Sequence, residues 1–343
     1  MKIAILDDWN HFYDKQPAMS RLREHGDVTV WYDKAPSDTV LAERLKGANI
    51  VGANRERTRF PADVLEKLTD VELISQSGGA GRHIDVEAAT RLGIAIASGG
   101  GAANGSAAVA ELGLGLLISL TRNIPSNDRR IRENDWNAPI SDVLFGKTLG
   151  VIGLGKIGVH MAKVCQALGM PTIAWGPTLT AERAAASGVE YVAFDDLFPR
   201  ADVIFISPIL SDLTRGIVGP AQLGAMKPTS YLINISRGPI VQEAALIEAL
   251  QQKKIRGAGL DVFDEEPFAP GHPLTKLDNV VLTPHIGWVT QAHFAAFANA
   301  VLTNAINYID GNPSGIVNED ALKVNRGHAP KQCSKVPHGR REP

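Results

Sequence analysis

Short apolar runs alternate with longer amphipathic stretches along most of this chain, and that alternation leaves few folds open. Residues 3–6, 28–31, 50–52, 73–75 and 94–97 read as strands, and between them residues 40–45 and 62–68 carry apolar side chains three and four apart, the helical spacing. A second series begins near Thr148, with strands expected at 148–152, 172–175, 203–206, 231–235, 257–260 and 280–282 and helices at 158–168 and 242–251. A strand followed by a helix, over and over, builds a parallel sheet with helices on both faces. The expectation is α/β, with two Rossmann-like units in one chain. A chain of 343 residues is long enough to give each unit its own core. No repeat of solenoid period is visible.

Charge and cysteine content narrow the function. Thirty-five basic residues against 37 acidic ones give a formal net charge of −2. That balance points to neither a nucleic acid nor a membrane surface as partner. The apolar run 107–120 is broken by Glu111 and several glycines, too short and too glycine-rich for a membrane span. The first residues read as a strand and not as a signal peptide. Cys165 and Cys333 are the two cysteines, which fits a reducing compartment, and a cytoplasmic location is expected. The nine histidines form no metal-like cluster, so no metal is expected. Residues 323–343 are polar, basic and proline-containing and read as a disordered tail.

The first motif with chemical content is Gly153-Leu154-Gly155-Lys156-Ile157-Gly158, which follows the strand at 148–152 and opens a helix. In that context a glycine turn binds a dinucleotide. Gly153 permits the tight turn, Gly155 lets the backbone approach a pyrophosphate, and Gly158 lets helix and strand pack closely. Lys156 and Ile157 contribute backbone N–H groups at the helix N-terminus. One departure matters: the acidic residue expected after the next strand, where it would bind the adenosine ribose, is Gly176. An acid there would repel the extra phosphate of NADP. Thr178 and Arg183 are nearby candidates to hold that phosphate, and the choice between NAD and NADP stays open.

Three further segments carry reactive side chains. Arg237 stands in Ile235-Ser236-Arg237-Gly238-Pro239, just past a strand, where α/β sheets place ligands. Its planar fork suits a carboxylate and can polarise an adjacent keto oxygen. His285 stands in Thr283-Pro284-His285-Ile286-Gly287 and suits proton transfer. Asp264, Glu265 and Glu266 precede Pro267, and a carboxylate bonded to an imidazole fixes its tautomer and favours the charged ring. Residue types alone leave all three acids open as that partner, against the alternative of a solvated acidic loop.

In this order and context the motifs resemble the D-isomer-specific 2-hydroxyacid dehydrogenase family, over about residues 1–318. The resemblance implies a flavodoxin-like substrate domain, 1–103 plus 288–318, into which an NAD(P)-binding Rossmann domain, 104–287, is inserted. It selects Glu266 as the partner of His285. It implies that Asp261 faces the nicotinamide carboxamide, that Pro208, Ile235, Ser236 and Gly287 line the nicotinamide pocket, and that Arg237 and His285 touch both cofactor and substrate. Trp288 either closes the same side or is an ordinary core residue. It implies that the amides of Gly79 and Ala80 hold the substrate carboxylate. Arg82 and His83 depart from the usual residues there and are expected to tie that turn down. Arg55 aligns with an arginine facing the substrate in some relatives and suits a second anionic group; alternatively Arg55, Arg57 and Arg59 simply alternate along an exposed loop. Residues 123–145 fit neither sheet. In the family such a segment is an arm gripping a second subunit, which implies a homodimer; a surface connection is the other reading.

The implied activity is hydride transfer between NAD or NADP and a small 2-hydroxy or 2-oxo acid in a cleft that closes over both. Two rivals share the fold. A formate dehydrogenase of this type lacks the carboxylate partner of the histidine, which disfavours it. An NAD-sensing corepressor is a binding protein that can keep the whole catalytic set, so only a turnover assay separates it from an enzyme.

Overall fold

The computed structural model describes residues 1–79, 83–100 and 105–324. The chain divides into two compact units, one of Met1–Ala102 with Gln291–Pro343 and one of Ala103–Thr290. The second is thus inserted in the first.

The first unit holds five strands: β1 (Lys2–Ile5), β2 (Asp27–Val30), β3 (Ile50–Ala53), β4 (Leu73–Ser77) and β5 (Ala95–Gly99). They lie in the order β2-β1-β3-β4-β5 with every neighbouring pair parallel, the flavodoxin order. β3 and β4 are buried along their whole length, as central strands covered on both faces must be. One cover is the helix Gln291–Ile309, whose Phe294, Phe297, Val301 and Leu302 are buried. It approaches closely because Gly52 has no side chain: a methyl there would lie 2.5 Å from Ile5 Cδ1 and 3.0 Å from Val301 Cγ1. Ser75 Oγ donates to the Val301 carbonyl at 2.8 Å, tying helix to sheet.

The free edge of β5 is closed by the chain returning after that helix. Val317 N–H donates to the Ile96 carbonyl, and Ala97 bridges Ile316 antiparallel. Asn318 completes the closure, accepting from Ile96 N–H at 2.7 Å and donating to the Ile94 carbonyl at 3.0 Å. An edge strand treated this way offers little to a foreign chain.

The second unit holds β6 (Leu149–Ile152), β7 (Thr172–Trp175), β8 (Glu190–Tyr191), β9 (Val203–Ile206), β10 (Tyr231–Asn234), β11 (Gly257–Leu260) and β12 (Val280–Leu282). Their order is β12-β11-β10-β9-β6-β7-β8, again all parallel. The direction of winding reverses between β6 and β9, which is where a doubly wound sheet opens a crevice at its carboxyl edge. The helix Gly105–Thr121 lies on one face. Gly113 and Gly259 let it sit close, since a methyl at Gly113 would lie 2.5 Å from Phe205 Cε2 and one at Gly259 2.9 Å from Leu116 Cβ. Among the described residues no single helix is long and apolar enough to cross a membrane.

Three details differ from the expectations or add to them. The helix read at 62–68 is helical only over Ala62–Leu65; Lys67 and Leu68 then bond three residues back, to Val64 and Leu65, so the chain tightens into a turn. β8 was not foreseen: two exposed residues at a sheet edge show no periodicity. Residues 123–145, read as fitting neither sheet, include the helix Ile124–Arg132 with Pro125 in its first turn. Cys165 is buried and burial pushes its thiol up to about 12, so it is an unreactive core residue. Cys333 and the expected tail beyond Val324 lie outside the described residues.

Asn318→Ala leaves the buried Ile96 N–H and Ile94 C=O without partners. The expected loss is about 2–4 kcal/mol of stability for the two groups together, measured by urea unfolding; an unchanged midpoint would show that edge to be held otherwise.

Candidate active site

The dinucleotide turn leaves β6 at Ile152. Gly153 has φ +91° and a methyl on it would lie 2.6 Å from the Pro208 nitrogen, so only glycine fits both the conformation and the approach. Gly155 faces open space, with nothing within 4 Å of where a methyl would stand. Gly158 packs back on the turn: a methyl would lie 2.5 Å from the Gly153 carbonyl oxygen. The helix Lys156–Ala167 then begins with no side-chain cap and no acid in its first turn. Its first N–H groups are free to hold an anion. This cradle fits the pyrophosphate of a dinucleotide.

Around the turn lie other expected cofactor residues. Ser236 Oγ donates a short hydrogen bond to the Pro208 carbonyl, joining the ends of β9 and β10. Ile235 is buried beside Gly113. Gly176 sits against Gly153, whose Cα would be 3.7 Å from a methyl there. The next carboxylate, Glu182, is held below the usual glutamate range by its own backbone N–H and the Thr180 hydroxyl. Arg183 donates to the Thr178 carbonyl at 2.7 Å, which lays its guanidinium along the loop after β7.

The structure brings Glu266 and His285 together. Glu266 Oε2 and His285 Nδ1 share a hydrogen bond of 2.6 Å, while Glu266 Oε1 accepts from Phe263 N–H at 2.9 Å. Burial alone would push Glu266 up. The hydrogen bonds from His285 and Phe263, with the charges of His285 and Arg237, outweigh it and hold the carboxyl below the usual range. His285 therefore faces an ionised partner through Nδ1, and its Nε2 has no protein partner among the described residues. Of the rival acids, Asp264 is raised by burial and by the neighbouring Glu243, and neither it nor Glu265 bonds the imidazole.

His285 has φ +53°, a strained setting for a non-glycine residue. What holds it is Asp261. This carboxylate is 1% exposed. Oδ1 accepts from the Thr283 hydroxyl at 2.6 Å and Ile286 N–H at 2.8 Å, and Oδ2 accepts from Gly287 N–H at 2.9 Å. Burial pushes its pKa up and the three bonds oppose that. Asp261 thus fastens the turn on both sides of His285. Trp288, next in the chain, is half-buried.

Arg237 is exposed at the end of β10, and its guanidinium donates to the Ser236 carbonyl at 2.7 Å. Gly238 behind it is buried against the loop that carries Glu266. A methyl there would overlap the Phe263 carbonyl and stand 2.5 Å from the Asp264 nitrogen. This close approach is made to residues distant along the chain, so the local sequence carries no sign of it.

On the first unit, Arg55 and Arg57 are half-buried and only Arg59 is exposed, so the reading of three arginines along an exposed loop is corrected. Arg55 has φ +54°, lies against Gly78, pairs with Glu56 at 3.4 Å and places its guanidinium carbon 5.5 Å from the Phe297 ring centroid. Arg57 donates to the Asp7 carbonyl at 2.6 Å and stacks over Trp9 at 4.1 Å. Asp7 is buried, raised by burial, and accepts from Thr58. These residues follow β1 and β3, the strands between which the winding of this sheet reverses. Sequence reasoning missed Asp7, Trp9 and Arg57 there; Asp7-Asp8 directly after the first strand was the available signal. Gly79 is exposed, with open space at its methyl position. Ala80 and Arg82 lie outside the described residues. His83 anchors its segment through its carbonyl, which accepts from Phe60 N–H at 2.7 Å; its buried ring, lowered in pKa by burial, has no hydrogen-bond partner among the described residues.

Residues 114–287 match the family described as D-isomer specific 2-hydroxyacid dehydrogenase, NAD binding domain. The chain is 39% identical over 294 residues to the D-3-phosphoglycerate dehydrogenase of Methanocaldococcus jannaschii, covering 85% of this chain and 54% of that protein. It is 32% identical over 314 residues to the glyoxylate reductase of Korarchaeum cryptofilum, covering 89% and 94%. Among solved structures, the phosphoglycerate oxidoreductase of Vibrio cholerae superposes with a TM-score of 0.81 at 35% identity, covering 90% of this chain and 98% of that one. The chain spans about half the length of the curated phosphoglycerate dehydrogenases it matches.

Two substitutions test the site. Gly155→Ala has room for its methyl and is expected to keep wild-type thermal stability while raising the NADH dissociation constant at least about tenfold by blocking backbone approach; tight binding with the methyl in place would remove the pyrophosphate assignment. Glu266, depressed in the folded state, stabilises the fold fully above the usual glutamate value near 4.5, and that contribution is lost as pH falls through its lower folded value. The stability difference between wild type and Glu266→Gln is therefore expected to start shrinking as pH falls below about 4.5 and to be gone once pH is below the depressed folded value, as followed by urea unfolding at stepped pH.

Proposed function

Because the chain belongs to the D-isomer-specific 2-hydroxyacid dehydrogenase family, we propose that it is an NAD(P)-dependent oxidoreductase interconverting small D-2-hydroxy acids and 2-oxo acids. The observation that carries this reading is the 2.6 Å pair of His285 and Glu266. It stands on the same carboxyl sheet edge as Arg237 and the open Gly155 cradle.

The bound nicotinamide would supply the hydride for reduction or accept it for oxidation. His285 holds or takes the proton: Nδ1 is committed to Glu266, so Nε2 is the atom that gives a proton to the substrate carbonyl oxygen or removes one from the hydroxyl. Glu266 fixes the orientation of the ring by holding Nδ1, which leaves Nε2 to face the substrate. Arg237 binds the substrate carboxylate through its fork and draws density from the adjacent oxygen. Its charge also helps keep Glu266 ionised. Asp261, whose acceptors are engaged by residues 283–287, serves as the anchor of His285 and, through the family resemblance, as a neighbour of the nicotinamide carboxamide.

On the first unit we assign the amides of Gly79 and Ala80 to the carboxylate and Arg55 to a second anionic group. The absence of an acid at Gly176, with Arg183 laid along the same loop, supports acceptance of NADP beside NAD. Trp136, Ile140, Val143 and Phe145 are 82%, 91%, 69% and 77% exposed. So much apolar surface in one segment supports its reading as an arm for a second copy of the chain.

Turnover of glyoxylate, hydroxypyruvate and other 2-oxo acids with NADH and NADPH tests the reading, and inactivity with all of them would overturn it. His285→Ala is expected to lower kcat by about 10²–10⁴-fold while NADH still binds. Arg237→Lys is expected to raise KM and lower kcat together, because lysine lacks the fork. Wild-type kinetics in either variant would take that residue out of the mechanism.

A further inference from the structure

A second carboxylate–imidazole pair lies close to the first and has no place in the mechanism above. Glu243 opens the helix Glu243–Gln251, and its Oε1 is 3.1 Å from His272 Nε2. Its other oxygen, Oε2, accepts from Asp264 N–H at 3.3 Å. One carboxylate therefore grips both ends of the loop 264–272, and Glu266 is inside that loop. His272 Nδ1 accepts from Leu274 N–H at 3.4 Å, so Nε2 carries the proton it donates to Glu243. Both side chains are largely shielded, at 15% and 20% exposure.

Between the two grips the loop is packed and not merely tied. Phe268 stacks on the His272 ring at 4.8 Å and meets Phe263 edge-on at 4.9 Å. Phe263, Pro267 and Phe268 line an apolar cavity of about 400 Å3 whose polar wall includes Glu266 and His285. The Phe263 amide is the same one that donates to Glu266 Oε1. A continuous set of contacts thus runs from Glu243 through His272, Phe268 and Phe263 to the Glu266 carboxylate.

We propose that Glu243 is a positioning residue for proton transfer: by clamping Asp264 and His272 it holds Glu266 at bonding distance from His285. The role demands a carboxylate. Its two oxygens both accept, and both partners donate. Glutamine keeps the shape but turns an NH2 toward one of those donors, so only one grip survives. This inference rests on the proposed dehydrogenase activity for its kinetic arm alone.

The test is a double-mutant cycle on the full chain with Glu243→Gln and Glu266→Gln, with Glu243→Ala as a second way of releasing the loop. Glu243→Gln is expected to lower kcat about 10- to 100-fold, the scale of a small misplacement in a reacting pair, with the NADH dissociation constant within about twofold of wild type, well inside a single lost contact. In the Glu266→Gln background the same change should cost less than about twofold, because the carboxylate it positions is gone. The ring-nitrogen NMR shifts of His285 should move in Glu243→Gln toward their values in Glu266→Gln. Additive losses in kcat, or unmoved His285 shifts, would overturn the clamp. Should wild type turn over no 2-oxo acid, the activity reading fails on its own, and the His285 shifts still decide whether Glu243 positions the pair.

Discussion

The buried carboxylate of Asp261 is the constraint on which the second unit's chemistry depends. It directly follows β11 and is shut off from water, so its charge must be met by donors from the protein. The Thr283 hydroxyl and the amides of Ile286 and Gly287 meet it. Those donors flank His285, whose φ of +53° is a conformation that persists only when its surroundings impose it. Losing the carboxylate would leave the amides of Ile286 and Gly287 without their acceptor and free that backbone to relax. The imidazole is held by its neighbours' backbone bonds as much as by its own side chain.

Three acidic groups in one short segment are sent in different directions by position alone. Asp261 is enclosed and raised; Asp264 is raised by burial and by Glu243. Glu266 is also partly buried, yet His285 and the Phe263 amide reverse the sign and hold it down. The first anchors a turn, the second donates its backbone amide to a clamp, and the third remains an ionised partner for a histidine. The balance of burial, hydrogen-bond donors and neighbouring charge thus sets each carboxyl's state, and none of the three decides it alone.

Much of this was legible in the sequence because it is local. Strands such as 172–175, 203–206 and 257–260 came out with their boundaries because central parallel strands are continuous apolar runs. Gly153, Gly155 and Gly158 were readable because a dinucleotide turn fixes their spacing. Arg237 and His285 were readable as reactive groups past strand ends, where a parallel sheet exposes them. The choice of Glu266 over Asp264 and Glu265 was not in the spacing; it came from resemblance, and the 2.6 Å bond supplies the physical reason. What stayed hidden depends on contacts across the chain. Glu243 and His272 are 29 residues apart, and Arg57 meets a carbonyl 50 residues away. No periodicity predicts such meetings. Gly238 was hidden for the same cause: its need for hydrogen in place of a methyl arises from Phe263, a neighbour only in space.

The helix Gly105–Thr121 shows how the separate loops of the second unit are kept in register. Gly113 brings it onto β9 and beside Ile235, the residue that leads into Arg237. One turn earlier on the helix, Val109 lies 3.4 Å from where a methyl on Gly287 would stand, next to the turn carrying His285. A single rigid element therefore backs both the end of β10 and the loop after β12. Strands two places apart in a sheet, here β10 and β12 with β11 between, share no hydrogen bond, so their loops could drift if each were held only by its own strand. Packing both against one helix removes that freedom, and the tightest contact is a glycine, since a methyl on Gly113 would stand 2.5 Å from Phe205 Cε2 and force the helix off the sheet.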